Sequence, residues 1–520
     1  MSRSFFAKVR THRAIAIGAV VIVLAGCNET PDSEGAMVEK PVALLDQKSQ
    51  VEERSAAGPD LSIITAEPIY ALSNLEPDTQ VWRELVEAIA GESLFTEVLR
   101  GKEQHGRVVT VRAGNQEDLR RAEAQLTAIQ ARLKALSANG TPTYLLLHHI
   151  DADGYLKAFL IDGDNGVERA TYPDEYQGMD FLVEGLGVKR LASTRAPIER
   201  GQPEPTEEER DALRAADQTP AAKKERSDTL DYARNILLPG SVFNAVSDRS
   251  GRILVKGAKD SSTAPYAALP LNDGPAARRF SFVMLPDLQT LEDEDGIFEF
   301  DRLDLDKAVV VGNPDLSSDP KYKWHDLPGA EAEAHSVAKK LGEEKLLIGR
   351  EATRSALTRA IHATDDLGMV YIASHAIADP KNPLTRGFVA MSGDEGHYFA
   401  GHIRQERFSG WKERNPLVVM SACQTALGRV LDGGGFGIAR SWTTVGAGQV
   451  VSSLWNVSDN ATKFLMDQFM IRLQAGDSPE VAMQKAQLIT MQAKTKGGRQ
   501  IYIDDPKMWA SFMVYGKPSG

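Results

Sequence analysis

The chain has 520 residues, 42% of them hydrophobic and 25% charged, with a formal net charge of −12 at pH 7. At about 150 residues per domain this is enough for two or three cores, and the charged fraction is too ordinary for wholesale disorder. An acidic balance with no long Lys/Arg block argues against a surface that tracks nucleic-acid phosphates, because such binding needs basic residues to neutralise the backbone.

The amino terminus reads as an address. Arg3, Lys8, Arg10 and Arg13 precede an apolar stretch, Ala14 to Gly26, and then Cys27. A basic start and an apolar run too short for an ordinary membrane span fit a secretory signal over residues 1–26. The tetrapeptide Leu24-Ala25-Gly26-Cys27 resembles the bacterial lipobox. That resemblance implies a lipid on Cys27, which becomes the first mature residue and anchors the protein to a membrane. Asn28 follows, where an aspartate would favour inner-membrane retention, so the expected place is the cell envelope, on the periplasmic face of the outer membrane. The alternative is an uncleaved signal anchor. Residues 27–61 are polar and broken, and read as a flexible tether. Cys423 is the only other cysteine, so with Cys27 consumed no disulfide framework can form.

Residues 62–300 form a mixed α+β region. From Glu117 to Leu136, the residues Leu119, Ala122, Leu126, Ile129, Leu133 and Leu136 recur every three or four positions, predicting one helix with a single apolar stripe. Tyr144–Ile150 and Leu156–Ile161 flank Asp153-Gly154, the pattern of a two-strand hairpin. His148 and His149 are neighbours on the first of these strands, so they face opposite sides, and no zinc-type cluster accompanies them. The charged stretch Glu199 to Asp228 is expected as an exposed loop or loosely held helix. No repeat at solenoid periods stands out.

The texture changes near residue 305. Ala308–Val311, Met369–Ala373, Leu417–Met420 and Gln449–Trp455 are apolar β-rich runs. Helical patterns near 329–341, 353–363 and 432–445 separate them. Continuous apolar strands between helices predict a doubly wound, mostly parallel sheet covered on both faces. Asp459 can cap a helix that runs to Gly476, and Ser478-Pro479 opens the next. The fold class is thus α/β over residues 301–520, preceded by a smaller α+β region, with sites at the carboxyl ends of the strands.

Two of those strand ends carry reactive side chains. Met369–Ala373 runs into Ser374-His375-Ala376, and Leu417–Met420 runs into Ser421-Ala422-Cys423-Gln424-Thr425. In adjacent parallel strands both side chains emerge at one edge of the sheet. Their separation of 48 residues is close to the His-to-Cys spacing of caspases. A thiol needs a base, because the thiolate is the nucleophile, and His375 can take that proton and later hand it to a leaving amine. Backbone N–H groups at Ala376 and Cys423 are the natural donors to an oxyanion. A buried thiol beside an unrelated surface histidine is the plainer alternative.

The surroundings of the pair resemble the CHAT family, a branch of the caspase-fold (clan CD) cysteine peptidases. The resemblance runs from about residue 140 to 517. Ile372-Ala373-Ser374-His375-Ala376, Leu417 to Gly428 around Cys423, and Gly446 to Asp459 with Leu454-Trp455 carry it. Secondary matches are Val311-Gly312-Asn313-Pro314, Leu327-Pro328-Gly329-Ala330 with Glu333, Trp509-Ala510-Ser511-Phe512, and Pro265-Tyr266-Ala267-Ala268-Leu269. It implies a caspase-like fold, a His375/Cys423 dyad, and an endopeptidase that acts on protein or peptide through an acyl-enzyme thioester, with no cofactor or metal. Ala376 stands where such enzymes commonly have glycine. Family members often carry helical repeats for partner binding; none stands out in this sequence, so residues 62–300 or the lipid anchor are the expected substitutes for recruitment, and an activating protein is a further expected partner. Asp432 and Asp459 are candidates for a pocket that takes a basic P1 side chain, with a loop or cap role as the alternative for each. Gly433-Gly434-Gly435-Phe436-Gly437 does not open from a strand as a dinucleotide fingerprint does and is expected as a flexible loop beside the cleft; His397 and His402 are likewise expected in loops. The rival functional reading is a non-catalytic caspase-like scaffold or sensor that binds envelope proteins.

Overall fold

The computed structural model describes residues 80–92, 116–188, 198–199, 206–341, 345–379, 382–394, 396–422, 428–431, 434–455, 459–495 and 497–520. The segments expected as a signal (1–26) and a tether (27–61), Cys27 among them, lie outside these residues. Among the described residues no helix is long and apolar enough to cross a membrane.

Two helices open the described chain, α1 (80–92) and α2 (Gln116–Ser137). The stripe read from the sequence is what α2 buries: Ala122, Leu126, Ile129, Leu133 and Leu136 are at most 2% exposed. The expected hairpin follows as β1 (Thr143–Ile150) and β2 (Tyr155–Ile161), paired antiparallel, and β3 (Val167–Glu175) adds to it. Alternation sorts these strands between two cores. Leu145 and Leu147 pack with α1 and α2 on one face, while Leu146 joins the main core on the other.

The segment expected to be loosely held is two helices, α3 (Glu207–Asp217) and α4 (Pro220–Leu237). Thr206 closes a capping box with Glu209, and Thr219 caps α4, whose first residue is Pro220. High charge conceals tertiary anchoring here, because Arg226 is only 1% exposed. Its guanidinium meets Asp217 and Asp505, and the wholly buried Lys507 bridges the same two carboxylates at 2.9 and 2.8 Å.

Strands β4 (Gly251–Lys256) and β5 (Phe280–Met284) precede the second half. That half contains β6 (Ala308–Pro314), α5 (Pro328–Lys340), β7 (Leu346–Gly349), α6 (Arg354–His362) and β8 (Met369–Ser374). There follow three short strands, β9 (Ala376–Ile377), β10 (Phe388–Val389) and β11 (Tyr398–Phe399), then α7 (Ala400–Gln405) and β12 (Leu417–Ala422). The glycine-rich segment expected as a flexible loop pairs instead: β13 (Gly428–Leu431) and β14 (Gly434–Gly437) form an antiparallel hairpin. The chain ends with α8 (Ile438–Thr444), β15 (Gln449–Ser453), α9 (Asp459–Gln474), α10 (Pro479–Met491) and β16 (Phe512–Gly516).

One sheet gathers most of these strands, in the order β7-β6-β8-β12-β15-β16-β5-β4-β1-β2-β3. From β7 to β15 every neighbour is parallel. β16 turns the direction over by pairing antiparallel with β15, and β5, β4 and β1 run parallel to it. The sheet therefore continues across residue 300, and the upstream region contributes strands to it. Every residue of β8 and β12 is buried, as continuous apolar strands require when helices cover both faces. This is the mostly parallel, caspase-like α/β arrangement.

Candidate active site

The site is built from strand ends. β8 and β12 are adjacent and parallel, with Ala373 opposite Ser421 and Ser374 opposite Ala422. His375 follows the last residue of β8, and Ala422, the last residue of β12, is covalently followed by Cys423. Cys423 and Asp432 lie outside the described residues. Asp459 is the first residue of α9 rather than the cap before it, and only its backbone is described.

His375 is 6% exposed and held from several directions. Ser374 Oγ donates to the Ala390 carbonyl at 2.7 Å, and the Ala390 N–H donates to the His375 carbonyl at 2.8 Å. The His375 ring donates from Nε2 to the carbonyl of His325 at 2.7 Å. A carbonyl can only accept, so Nε2 carries the hydrogen and Nδ1 is the nitrogen able to act as a base. Ala376 pairs with Val389 at a position that exchanges no ladder bonds, because the neighbouring bond runs from Ala390 N to His375 O. Its own N–H consequently points away from β10.

The carbonyl that orients His375 belongs to a strap between β6 and α5. Asn313, at the end of β6 with φ of 41°, closes that strap. Its side chain donates to Asp326 and Glu331 and accepts from the Leu327 N–H. Within the strap, Asp319 accepts from the backbone N–H groups of Lys321 and Tyr322, from Trp324 Nε1 and from His397 Nε2. Burial opposes ionisation of Asp319, yet these bonds and His397 hold its carboxyl below the usual carboxylate range. Trp324 in turn lies 4.9 Å from the His375 ring, centroid to centroid.

His397 precedes β11 and stacks flat on Phe388, 4.2 Å between centroids. Burial pulls its pKa below 6.5 against the pull of Asp319. It is thus neutral at pH 7, and its 2.8 Å contact with Asp319 is a hydrogen bond from Nε2 rather than an ion pair. Its Nδ1 accepts from the Met391 N–H at 3.3 Å. His402, expected in a loop, is helical in α7 and accepts from Arg354 at 2.8 Å. His148 and His149 stay apart as expected, with His148 buried and bonded through Nε2 to the Leu237 carbonyl. No three metal-ligating side chains converge among the described residues.

On the β12 side, the buried Ser453 donates from Oγ to the Ala422 carbonyl. The next two residues are anchored to the carboxyl-terminal segment: Leu454 N–H donates to Ser511 O and Trp455 Nε1 to Lys507 O. Asp319, Trp324 and His325 went unremarked in the sequence, and His397, in a loop as expected, was not connected with them. The one signal available was the aromatic group Tyr322, Trp324 and His325 in an otherwise polar loop between two motif matches.

A family model for the CHAT domain matches residues 236–517. Among curated proteins, the chain is similar to Tetratricopeptide repeat protein 28 of Mus musculus, 26% identical over 246 residues, which cover 40% of this chain and 9% of that protein. The Homo sapiens protein of the same name is 25% identical over 241 residues, with the same coverage. The match therefore spans less than a tenth of those relatives. Among solved structures, a chain of the Saccharomyces cerevisiae separase–securin complex superposes with a TM-score of 0.54 at 10% identity, over 86% of this chain and 34% of that one. The Arg-specific cysteine proteinase gingipain R gives a TM-score of 0.34 at 12% identity, over 65% and 74%. At such identities the separase likeness establishes the fold.

Proposed function

The chain belongs to the CHAT domain family, and on that premise we propose that it is a cysteine endopeptidase with a His375/Cys423 dyad. The observation that carries the proposal is the register of β8 with β12, Ser374 opposite Ala422, together with a His375 ring whose Nε2 is committed to the His325 carbonyl. In this reading the Cys423 thiol gives its proton to His375 Nδ1, and the thiolate sulfur attacks the scissile carbonyl carbon. The oxyanion is met by backbone N–H groups at Ala376 and Cys423. The bond between that carbon and nitrogen then breaks, with the proton on Nδ1 passing to the leaving amine. Water, deprotonated by the same nitrogen, hydrolyses the thioester and returns the thiol. Ser453 supports this arrangement by holding the Ala422 carbonyl, which fixes the plane of the peptide bond that follows. The mechanism calls for no cofactor.

The finer parts of the proposal are independent of one another. Asp432 and Asp459 are offered as the acids of a basic-P1 pocket. A lipid on Cys27 tethers the enzyme at the periplasmic face of the outer membrane, where it meets protein substrates and any activating partner. Replacing Cys27 with Ser should move the protein from the detergent phase to the aqueous phase in a two-phase partition.

The dyad is tested by labelling with thiol-reactive acyloxymethyl ketones that carry a panel of P1 residues, comparing wild type, Cys423→Ala and His375→Ala. Labelling at Cys423 that collapses in His375→Ala is the expected result, and the panel reports the P1 preference. Equal labelling of wild type and His375→Ala, with and without envelope extract, would instead favour the scaffold reading.

A further inference from the structure

A groove of about 860 Å³ lies between α6 and α7, outside the dyad. Arg354, Arg359, His362 and His402 line it, with Glu406 its one acidic side chain. Among the described residues neither Arg354 nor Arg359 has a carboxylate within ion-pair distance, in a chain whose net charge is −12. Arg354 Nη1 donates to His402 Nδ1 at 2.8 Å. That bond makes Nδ1 an acceptor, so His402 is the neutral tautomer with its hydrogen on Nε2. Glu406 is already engaged, accepting from the Tyr398 hydroxyl at 3.0 Å. The hydroxyl leaves the Glu406 charge in place, so the groove presents two guanidiniums and imidazole donors against a single carboxylate.

Its length selects the occupant. Arg354 and His362 are the first and last residues of α6, about 12 Å apart along the axis at 1.5 Å per residue. One phosphate cannot reach both ends. An extended peptide, rising about 3.3 Å per residue, places carboxylates along the whole rail when acids recur every second residue. Backbone bonds also join the start of α6 to the segment that holds His375. Ser392 N–H donates to the Ala352 carbonyl at 2.9 Å and Ser392 bridges Thr353, two residues beyond Ala390, which bonds His375.

We propose that this groove is an exosite for an acidic, extended segment of the protein substrate. The assignment of the segment to a substrate rests on the peptidase reading; the affinity for acidic peptide does not. The test is fluorescence anisotropy of a fluorescein-labelled decaglutamate peptide with the full-length protein in detergent. Wild type is compared with Arg354→Gln/Arg359→Gln, and with Arg359→Gln alone, since Arg359 is exposed and its replacement leaves the Arg354–His402 bond in place. Binding that weakens about tenfold in the double variant and several-fold in Arg359→Gln is expected, since charge-assisted contacts are lost. Decalysine should not bind, and raised salt should weaken the complex. Unchanged affinity in both variants would overturn the proposal, and so would inorganic phosphate competing as well as the peptide, mole for mole. Cys423 labelling by a short ketone should be the same in Arg359→Gln as in wild type. Peptide binding without any activated thiol would overturn the peptidase reading and the substrate assignment together, leaving the acidic-peptide groove as a separate finding.

Discussion

Donors from Lys321, Tyr322, Trp324 and His397 converge on the Asp319 carboxylate, and through Trp324 and the His325 carbonyl it sets the wall against which His375 rests. Asp319→Ala removes the carboxylate that ties the strap and leaves His375 and Cys423 themselves unaltered in sequence. The rate of Cys423 labelling should fall about tenfold, the equivalent of one charge-assisted bond, while the thiol count in denaturant stays the same. Ser453→Ala removes the donor to the Ala422 carbonyl and should slow labelling by a similar factor, with the P1 preference unchanged. The place of His375 at a strand end was legible in the sequence, because a polar residue at the end of an apolar strand is conspicuous. Its supports were not. Asp319 and His397 are 78 residues apart, and nothing in either local segment announces the other.

Elements pack here through a few close approaches that local patterns cannot display. Gly312 in β6 has no room for a larger residue, since a Cβ there would stand 2.3 Å from that of Ala334 in α5. The cluster of Arg226, Lys507, Asp217 and Asp505 staples α3 and α4 to the segment that also holds Trp455. Lys507→Met leaves two buried carboxylates short of a cation and should cost about 3–5 kcal/mol, read as a lower midpoint in urea denaturation. A loss under about 1 kcal/mol would show that the cluster is better solvated than its geometry indicates. The apolar strands and the stripe on α2 were legible from periodicity. The staple was not, because the charges of residues 199–228 look solvated until their partners, nearly 300 residues on, are in place. The glycine-rich hairpin β13–β14 was hidden for another reason: it lacks the alternating β-branched residues that mark a strand.

At the scale of the whole molecule, two parallel blocks run in opposite directions within one sheet, joined where β15 meets β16. The carboxyl end of β8 leads into His375 and that of β12 into the chain before Cys423, and the upstream strands complete the sheet beyond β16. This continuity ties the stability of the site to titratable groups far from it. Burial pushes His148 down to about 4, so between pH 6.5 and about 4 the unfolded chain takes a proton that the folded chain refuses. Its contribution is complete above pH 6.5 and falls by about 3 kcal/mol as the pH drops through that window. His397 acts in the same sense, whereas Glu92, raised by burial despite Lys256, acts in the opposite one. Urea denaturation from pH 7 to 4.5 should therefore show a steeper loss of stability in wild type than in His148→Gln; parallel curves would contradict the assignment.

In the proposed mechanism His375 activates Cys423. It is tested most directly by the rate of iodoacetamide alkylation at Cys423, followed by mass spectrometry of the intact protein from pH 5 to 10. Wild type should react with an inflection well below the ordinary thiol value of about 8.5, and at pH 6.5 at least about tenfold faster than His375→Ala, whose inflection returns to that value. Superimposable profiles for the two proteins, each centred near the ordinary thiol value, would contradict it.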